Sequence, residues 1–108
     1  MSLIEELRTI LGDQNVLTGA DKERYSSDWL GQYKFEPLCV VRPASTEEVA
    51  EVVRLAGFLK VNIVPVGGNT GLNGGTHSDN AISISMERMN KIVEIRSSSK
   101  LAIVEAGV

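Results

Sequence analysis

The sequence has little of what marks specialised chemistry. It holds one cysteine, Cys39, and one histidine, His77. A lone cysteine makes no internal disulfide and is too little for a zinc cluster, so a reducing, cytoplasmic setting is expected. Positive charge is not in excess: 11 Lys and Arg stand against 14 Asp and Glu, a net charge of −3. That excludes a protein held on nucleic acid by a basic face. Long apolar runs are also missing. The N-terminal Leu3-Ile4-Glu5-Glu6-Leu7 lacks the basic flank and apolar stretch of a secretory signal. The longest uncharged stretch, residues 61–78, is broken by Pro65, by glycines and by asparagines, which excludes a membrane span. No internal repeat, linker or low-complexity tract divides the 108 residues, a length that suits one domain.

Glycine is the residue present in an uneven way. Five of the ten glycines, Gly67, Gly68, Gly71, Gly74 and Gly75, fall within nine residues. The segments around them read clearly. Ser2-x-x-Glu5 is a capping box, and Leu3, Ile4, Leu7, Ile10 and Leu11 follow at helical spacing up to Gly12, predicting a helix over 3–11. Residues 18–37 are weakly periodic, with one helical turn over 20–25 and an ordered loop. Asp28, Trp29 and Tyr33 either line a ligand site there or anchor the loop to the core.

Leu38-Cys39-Val40-Val41 reads as a buried strand stopped by Arg42-Pro43. Ser45-Thr46-Glu47-Glu48 is a second capping box. Val49, Val52, Val53, Ala56 and Leu59 then form one apolar helical face, and Val61–Val66 is the next strand. Strand, helix, strand is a βαβ unit joining parallel strands. After the glycines the period becomes two: Ile82, Ile84 and Met86 alternate with Ser83 and Ser85, as along a strand. Ile92–Ile95, a turn through Ser97–Lys100, and Leu101–Ala106 complete the chain as antiparallel strands. The fold class is therefore α+β. A last strand with no closing helix leaves an open sheet edge, as in the first part of a larger unit or in a protein that pairs with another chain.

The run Pro65-Val66-Gly67-Gly68-Asn69-Thr70-Gly71-Leu72-Asn73-Gly74-Gly75-Thr76 carries the clearest chemistry. Glycines admit positive φ and let a ligand approach the backbone, and successive amides in such turns make a nest for an anion. No Lys or Arg lies between Lys60 and Asp79, so an anion here would be held by amides and hydroxyls. The alternative is a plain glycine-rich connection between two strands. Neither G-x-G-x-x-G before a helix nor G-x-x-x-x-G-K-[ST] is present, which excludes the dinucleotide fingerprint and the P-loop.

Four ordered motifs resemble one family. They are Val41-Arg42-Pro43-Ala44-Ser45-Thr46-Glu47-Glu48-Val49, the Pro65–Gly75 run, Arg88-Met89-Asn90-Lys91-Ile92, and Val104-Glu105-Ala106-Gly107-Val108. Together they resemble the FAD-linked oxidases of the vanillyl-alcohol oxidase/PCMH type, and most nearly the branch of D-lactate, glycolate and D-2-hydroxyglutarate dehydrogenases. Asp28-Trp29 resembles that branch too, and the similarity runs from about Val16 to Val108.

The resemblance implies a βαβ unit plus antiparallel strands that form the first subdomain of a PCMH-type FAD-binding domain. Residues 1–37 would be an N-terminal helix and ordered loop, and residues 38–108 the first FAD lobe. The second lobe and the cap domain with its catalytic groups would lie elsewhere. It implies that Gly67, Gly68, Asn69, Thr70 and Gly71 grip the FAD diphosphate and that Pro65 and Val66 shape the entry. Leu72, Gly75, Thr76 and Met86 would sit beside the cofactor. Asn69 stands where some relatives tether the flavin through a histidine, so FAD would be non-covalent. The whole enzyme would pass a hydride from the hydroxyl-bearing carbon of a 2-hydroxy acid to the flavin, whereas these residues alone would be inactive. Its partners would be FAD and the remainder of the flavoenzyme, or a second copy through the open edge.

His77 is expected to face solvent, without a partner that would make it a base. Cys39 is expected in the core, and Glu105 as an edge carboxylate in water. A different class of function stays open: a non-enzymatic nucleotide-binding or partner-binding module that uses the open edge.

Overall fold

The computed structural model describes residues 2–27, 31, 34–71 and 74–108. The candidates Asp28, Trp29, Tyr33 and Leu72 lie outside the described residues. Helix α1 spans Leu3–Leu11, with the Ser2 hydroxyl accepting from the Glu5 amide at 3.3 Å. Gly12 ends it at φ +89°, a conformation that only glycine adopts readily. The helical turn expected over 20–25 is a 3-10 helix over Gly19–Tyr25. Helix α2 spans Thr46–Leu59. At its start the Ser45 hydroxyl accepts from the Glu48 amide, while the Glu48 carboxylate reaches one residue further back than a standard box, to the Ala44 amide at 2.7 Å.

The main sheet has four strands: β1 (Val16–Leu17), β2 (Cys39–Val41), β3 (Ile63–Val66) and β4 (Ile82–Ser85), in the order β1-β2-β4-β3. β2, β4 and β3 are parallel, and β1 is antiparallel to β2. The βαβ unit is therefore present with β4 inserted between its two strands. Leu7, Leu11, Val16, Cys39, Val41, Val52, Ala56, Ile82 and Ile84 form one apolar core that joins α1 and α2 to the sheet.

The alternation along β4 is not matched by an alternation in burial. All four residues are buried, Ser83 and Ser85 included. A central parallel strand is covered on both faces; here α1 and α2 cover the isoleucine side. Tyr25 and Phe35, from the weakly periodic segment 18–37, are themselves buried. Among the described residues the Ser83 hydroxyl has no hydrogen-bond partner.

The last two strands stand apart from this sheet. β5 (Ile92–Arg96) and β6 (Leu101–Val104) form their own antiparallel hairpin, exposed along its whole length. Its register, with a bulge between Ile92 and Glu94, places Ile92, Ile95, Ala102 and Val104 on one face. Ile95 is 66% exposed. The open edge expected of the last strand thus belongs to this hairpin. In the main sheet β3 is an edge strand, blunted by Pro65, which has no amide to offer a further strand. Among the described residues no helix is long and apolar enough to cross a membrane.

The chain returns from the hairpin to the sheet through Gly107, whose amide donates to the Met89 carbonyl at 2.8 Å. A Cβ built on Gly107 would lie 1.8 Å from the Met86 carbonyl oxygen. Gly57 in α2 is the opposite case, with open space around its missing Cβ. Gly107→Ala is expected to lower unfolding free energy by about 2 kcal/mol through overpacking. Gly57→Ala is expected to raise it by about 0.5–1 kcal/mol. Urea unfolding of the two variants measures both, and equal effects would contradict these assignments.

Candidate functional site

Parallel pairing brings the carboxyl ends of β2, β4 and β3 to one end of the sheet. Arg42 follows β2, Glu87 comes just after β4, and Gly67 follows β3. Crevices beyond the carboxyl ends of parallel strands are where open α/β sheets bind ligands. A cleft of about 440 Å³ lies there, within the range of small-molecule sites. The β3 end contributes Val66, Gly67, Gly68 and Asn69; Ser85 and Glu87 come from the β4 end. Arg24, Tyr25 and Ser27 close one side, and Gly107 and Val108 another.

Four sequence candidates, Val66, Gly67, Gly68 and Asn69, thus line one cleft. Pro65, Thr70, Gly71, Gly75, Thr76 and Met86 do not line it. Met86 packs on the core, and Thr76 acts through Asn69. Asn69 takes a left-handed φ of +57°, which asparagine tolerates better than most residues. Its amide nitrogen donates to the Ser27 carbonyl at 2.8 Å, and its amide oxygen accepts from the Thr76 hydroxyl at 2.8 Å. The Asn69 side chain therefore fastens the glycine loop to the segment before β2.

Of the five clustered glycines only Gly74 uses a positive φ, at +72°. Gly67, Gly68, Gly71 and Gly75 adopt backbone that other residues can take. A Cβ on Gly67 or Gly68 would meet neighbours no closer than 3.8 and 3.9 Å, and on Gly71 or Gly75 nothing within 4 Å. Neither conformation nor internal packing among the described residues demands glycine at these four positions. The missing side chains leave the loop backbone bare, and at Gly67 and Gly68 they leave it bare toward the cleft. A loop of this kind fits a diphosphate held by main-chain amides.

The side-chain cluster at the cleft is centred on Glu87, which motif reading passed over. Its carboxylate accepts from Arg24 Nη2 at 2.6 Å, from Arg42 Nε at 2.6 Å and from the Tyr25 hydroxyl. Arg24 also donates to the Tyr25 hydroxyl, and its guanidinium lies over the Tyr25 ring at 4.6 Å. Partial burial works to raise the Glu87 carboxyl, but the hydrogen bonds from Tyr25, Arg42 and Arg24 outweigh it and hold the group below its ordinary range. Burial, together with the bond to Glu87, pushes the Tyr25 phenol up. These four residues are scattered over 63 positions, and no local spacing links them. The available cue was the place of Glu87 just beyond the end of a parallel strand.

The remaining candidates fall elsewhere. His77 has a carboxylate partner that sequence reading did not find, Asp79 at 2.9 Å, and it stacks on Phe35. Half exposed, it does not line the cleft. Cys39 is buried in the core, and burial pushes its thiol up to about 11. The Glu105 carboxylate accepts from the Lys91 amide at 3.0 Å, at the root of the hairpin.

The class defined by this geometry is a sheet-end cleft with a glycine cradle. The FAD binding domain model matches residues 37–108, and the chain belongs to that family. It is 37% identical over 109 residues to a D-2-hydroxyglutarate dehydrogenase of Stutzerimonas stutzeri, covering 99% of this chain and 24% of that protein. It is 32% identical over 108 residues to the mitochondrial D-2-hydroxyglutarate dehydrogenase of Arabidopsis thaliana, covering 96% of this chain and 19% of that one. Among solved structures, substrate-bound p-cresol methylhydroxylase superposes with a TM-score of 0.82 at 28% identity, over 97% of this chain and 22% of that chain. The α+β fold is thus that of PCMH-type FAD-binding domains. The chain spans a quarter or less of the length of these relatives.

The depressed Glu87 carboxyl has a consequence for pH. Its ionised form is favoured by folding, so its contribution is present above the ordinary value of 4.5 and is lost as pH falls through the lower folded value. Glu87→Gln is expected to cost about 1–2 kcal/mol at pH 7. The gap to wild type should be narrower at about pH 3 than at pH 7, because protonation of Glu87 below its ordinary value of 4.5 removes its advantage. Urea unfolding at both pH values tests this, and a gap that is independent of pH would refute it.

Proposed function

We propose that this chain is the diphosphate-gripping lobe of a flavin-dependent oxidoreductase acting on the CH–OH group of a 2-hydroxy acid of the D-lactate, glycolate or D-2-hydroxyglutarate type. One observation carries the cofactor half of this reading. Gly67 and Gly68 line a cleft at the carboxyl ends of parallel strands, where neither backbone conformation nor packing calls for glycine. The names of the dehydrogenases that the chain resembles support the substrate half.

In this reading Gly67, Gly68, Asn69, Thr70 and Gly71 hold the diphosphate, with Pro65 and Val66 at the entry. Leu72, Gly75, Thr76 and Met86 stand around the cofactor. FAD would supply the hydride acceptor. It would be bound non-covalently: the Asn69 amide, at the tethering position, is no nucleophile and is already engaged by Ser27 and Thr76. Residues 38–108 form the first lobe and residues 1–37 brace it. Among the described residues the Glu87, Tyr25 and arginine side chains at the cleft are engaged with one another, so in this reading the catalytic groups belong to the remainder of the flavoenzyme. The apolar face of the β5–β6 hairpin is the surface on which that remainder, or a second copy, would pack. A reducing compartment, the cytoplasm by default, suits the unpaired Cys39 thiol.

Titration of the chain with FAD, followed by flavin fluorescence, is expected to show binding that acid precipitation fully reverses. Gly67→Ala and Gly68→Ala should leave the unfolding midpoint near that of wild type and weaken FAD at least about tenfold, the loss of one or two backbone–phosphate contacts. D-lactate or D-2-hydroxyglutarate with a dye acceptor should give no turnover by these residues alone. Wild-type affinity in both alanine variants would remove the cradle, and robust dye reduction would place catalysis within this chain.

A further inference from the structure

We propose that Arg24 is a cofactor-binding residue: its guanidinium, held at the cleft by Tyr25 and Glu87, supplies the diphosphate with the cation that the glycine loop lacks. The proposal rests on the FAD reading above and adds a residue to it from outside the family-matched segment 37–108. No Lys or Arg lies between Lys60 and Asp79, so any formal charge that assists the loop amides comes from a distant part of the chain. Arg24 comes from the 3-10 turn Gly19–Tyr25 and lines the same cleft as Gly67 and Gly68.

Its geometry is that of an oriented cation, not of a neutralised one. The contacts to Glu87 and to the Tyr25 hydroxyl both use Nη2. A guanidinium has five N–H donors in a planar fork, and this side chain is 67% exposed. Glu87 divides its one negative charge between Arg24 and Arg42, so the trio keeps one positive charge at the cleft. The Tyr25 ring beneath the guanidinium restricts it further. A fork held in place before the ligand arrives loses less freedom on binding, and its planar donors match phosphate oxygens. Glu87 is a positioning residue in this arrangement, acting through Arg24.

Calorimetric titration of the chain with FAD, and separately with inorganic diphosphate, at low and high salt tests the proposal. Arg24→Gln should weaken both ligands about tenfold and flatten the salt dependence of FAD binding. Arg24→Lys should recover only part of the loss, since a point charge does not reproduce the fork. Arg54→Gln on α2, away from the cleft, should bind as wild type. In a Glu87→Gln background, which frees Arg24 from its anchor, Arg24→Gln should cost less than about threefold, the mark of coupled neighbours. Circular dichroism reports whether each variant is folded. If wild type binds FAD and Arg24→Gln matches it within twofold, or if Arg54→Gln loses as much, the role of Arg24 is overturned while the FAD reading stands. If wild type binds neither ligand, both fall.

Discussion

β4 runs between β2 and β3, and its parallel pairing with both sets the position of everything at the cleft. Three strands that point the same way deliver their following residues to one end of the sheet. Arg42, Glu87 and Gly67 meet there although they are far apart in the chain. The strand is buried on both sides, with Ile82 and Ile84 locked into the helix-side core and Ser83 and Ser85 on the other. Shifting β4 by one residue would turn the serines into the apolar core and carry Glu87 away from Arg42. Register in the core and charge placement at the cleft are therefore one constraint.

In the proposed reading, two ways of receiving an anion lie side by side at that end. The glycine loop offers bare main chain, with Asn69 pinning it to Ser27 so that its shape is kept. The Glu87 cluster offers fixed charge, brought from the N-terminal segment and from the end of β2. Main-chain amides give direction to a bound phosphate and a guanidinium gives attraction. The Asn69–Ser27 bond joins the loop to the segment that carries Arg24, whose guanidinium stays largely exposed beside it.

How much of this could be read in the sequence follows from the range of each interaction. The helices were legible because caps and apolar periodicity act within a few residues: Ser2, Gly12 and Ser45 mark ends that the structure keeps. The glycine run was legible as a loop after β3, since five glycines in nine residues break any regular element, and four of the candidates at its start line the cleft. The setting of β4 was not, since Ile-Ser-Ile-Ser alternation looks the same whether the serine face meets water or another part of the chain. The Glu87 cluster was hidden for a similar reason. Arg24, Tyr25, Arg42 and Glu87 are ordinary residues singly, and only the parallel topology brings them together. The hairpin strands were read correctly as strands, while their separation from the main sheet was beyond local pattern.

The cleft is walled by four stretches of chain, near residues 24–27, 66–69, 85–87 and 107–108. They are tied together: Glu87 holds Arg24 and Tyr25, Asn69 holds Ser27, and the Gly107 amide is bonded to Met89. A ligand that touches several of them exists only when all are in place, so it binds the folded chain and not the unfolded one. Such a ligand acts as a staple: at a free concentration one hundred times its dissociation constant it adds about 2.7 kcal/mol to folding. For a chain of this size that is a large share of the total. The melting temperature then becomes a gauge of how much ligand is bound, and loss of the ligand raises the unfolded fraction open to proteolysis.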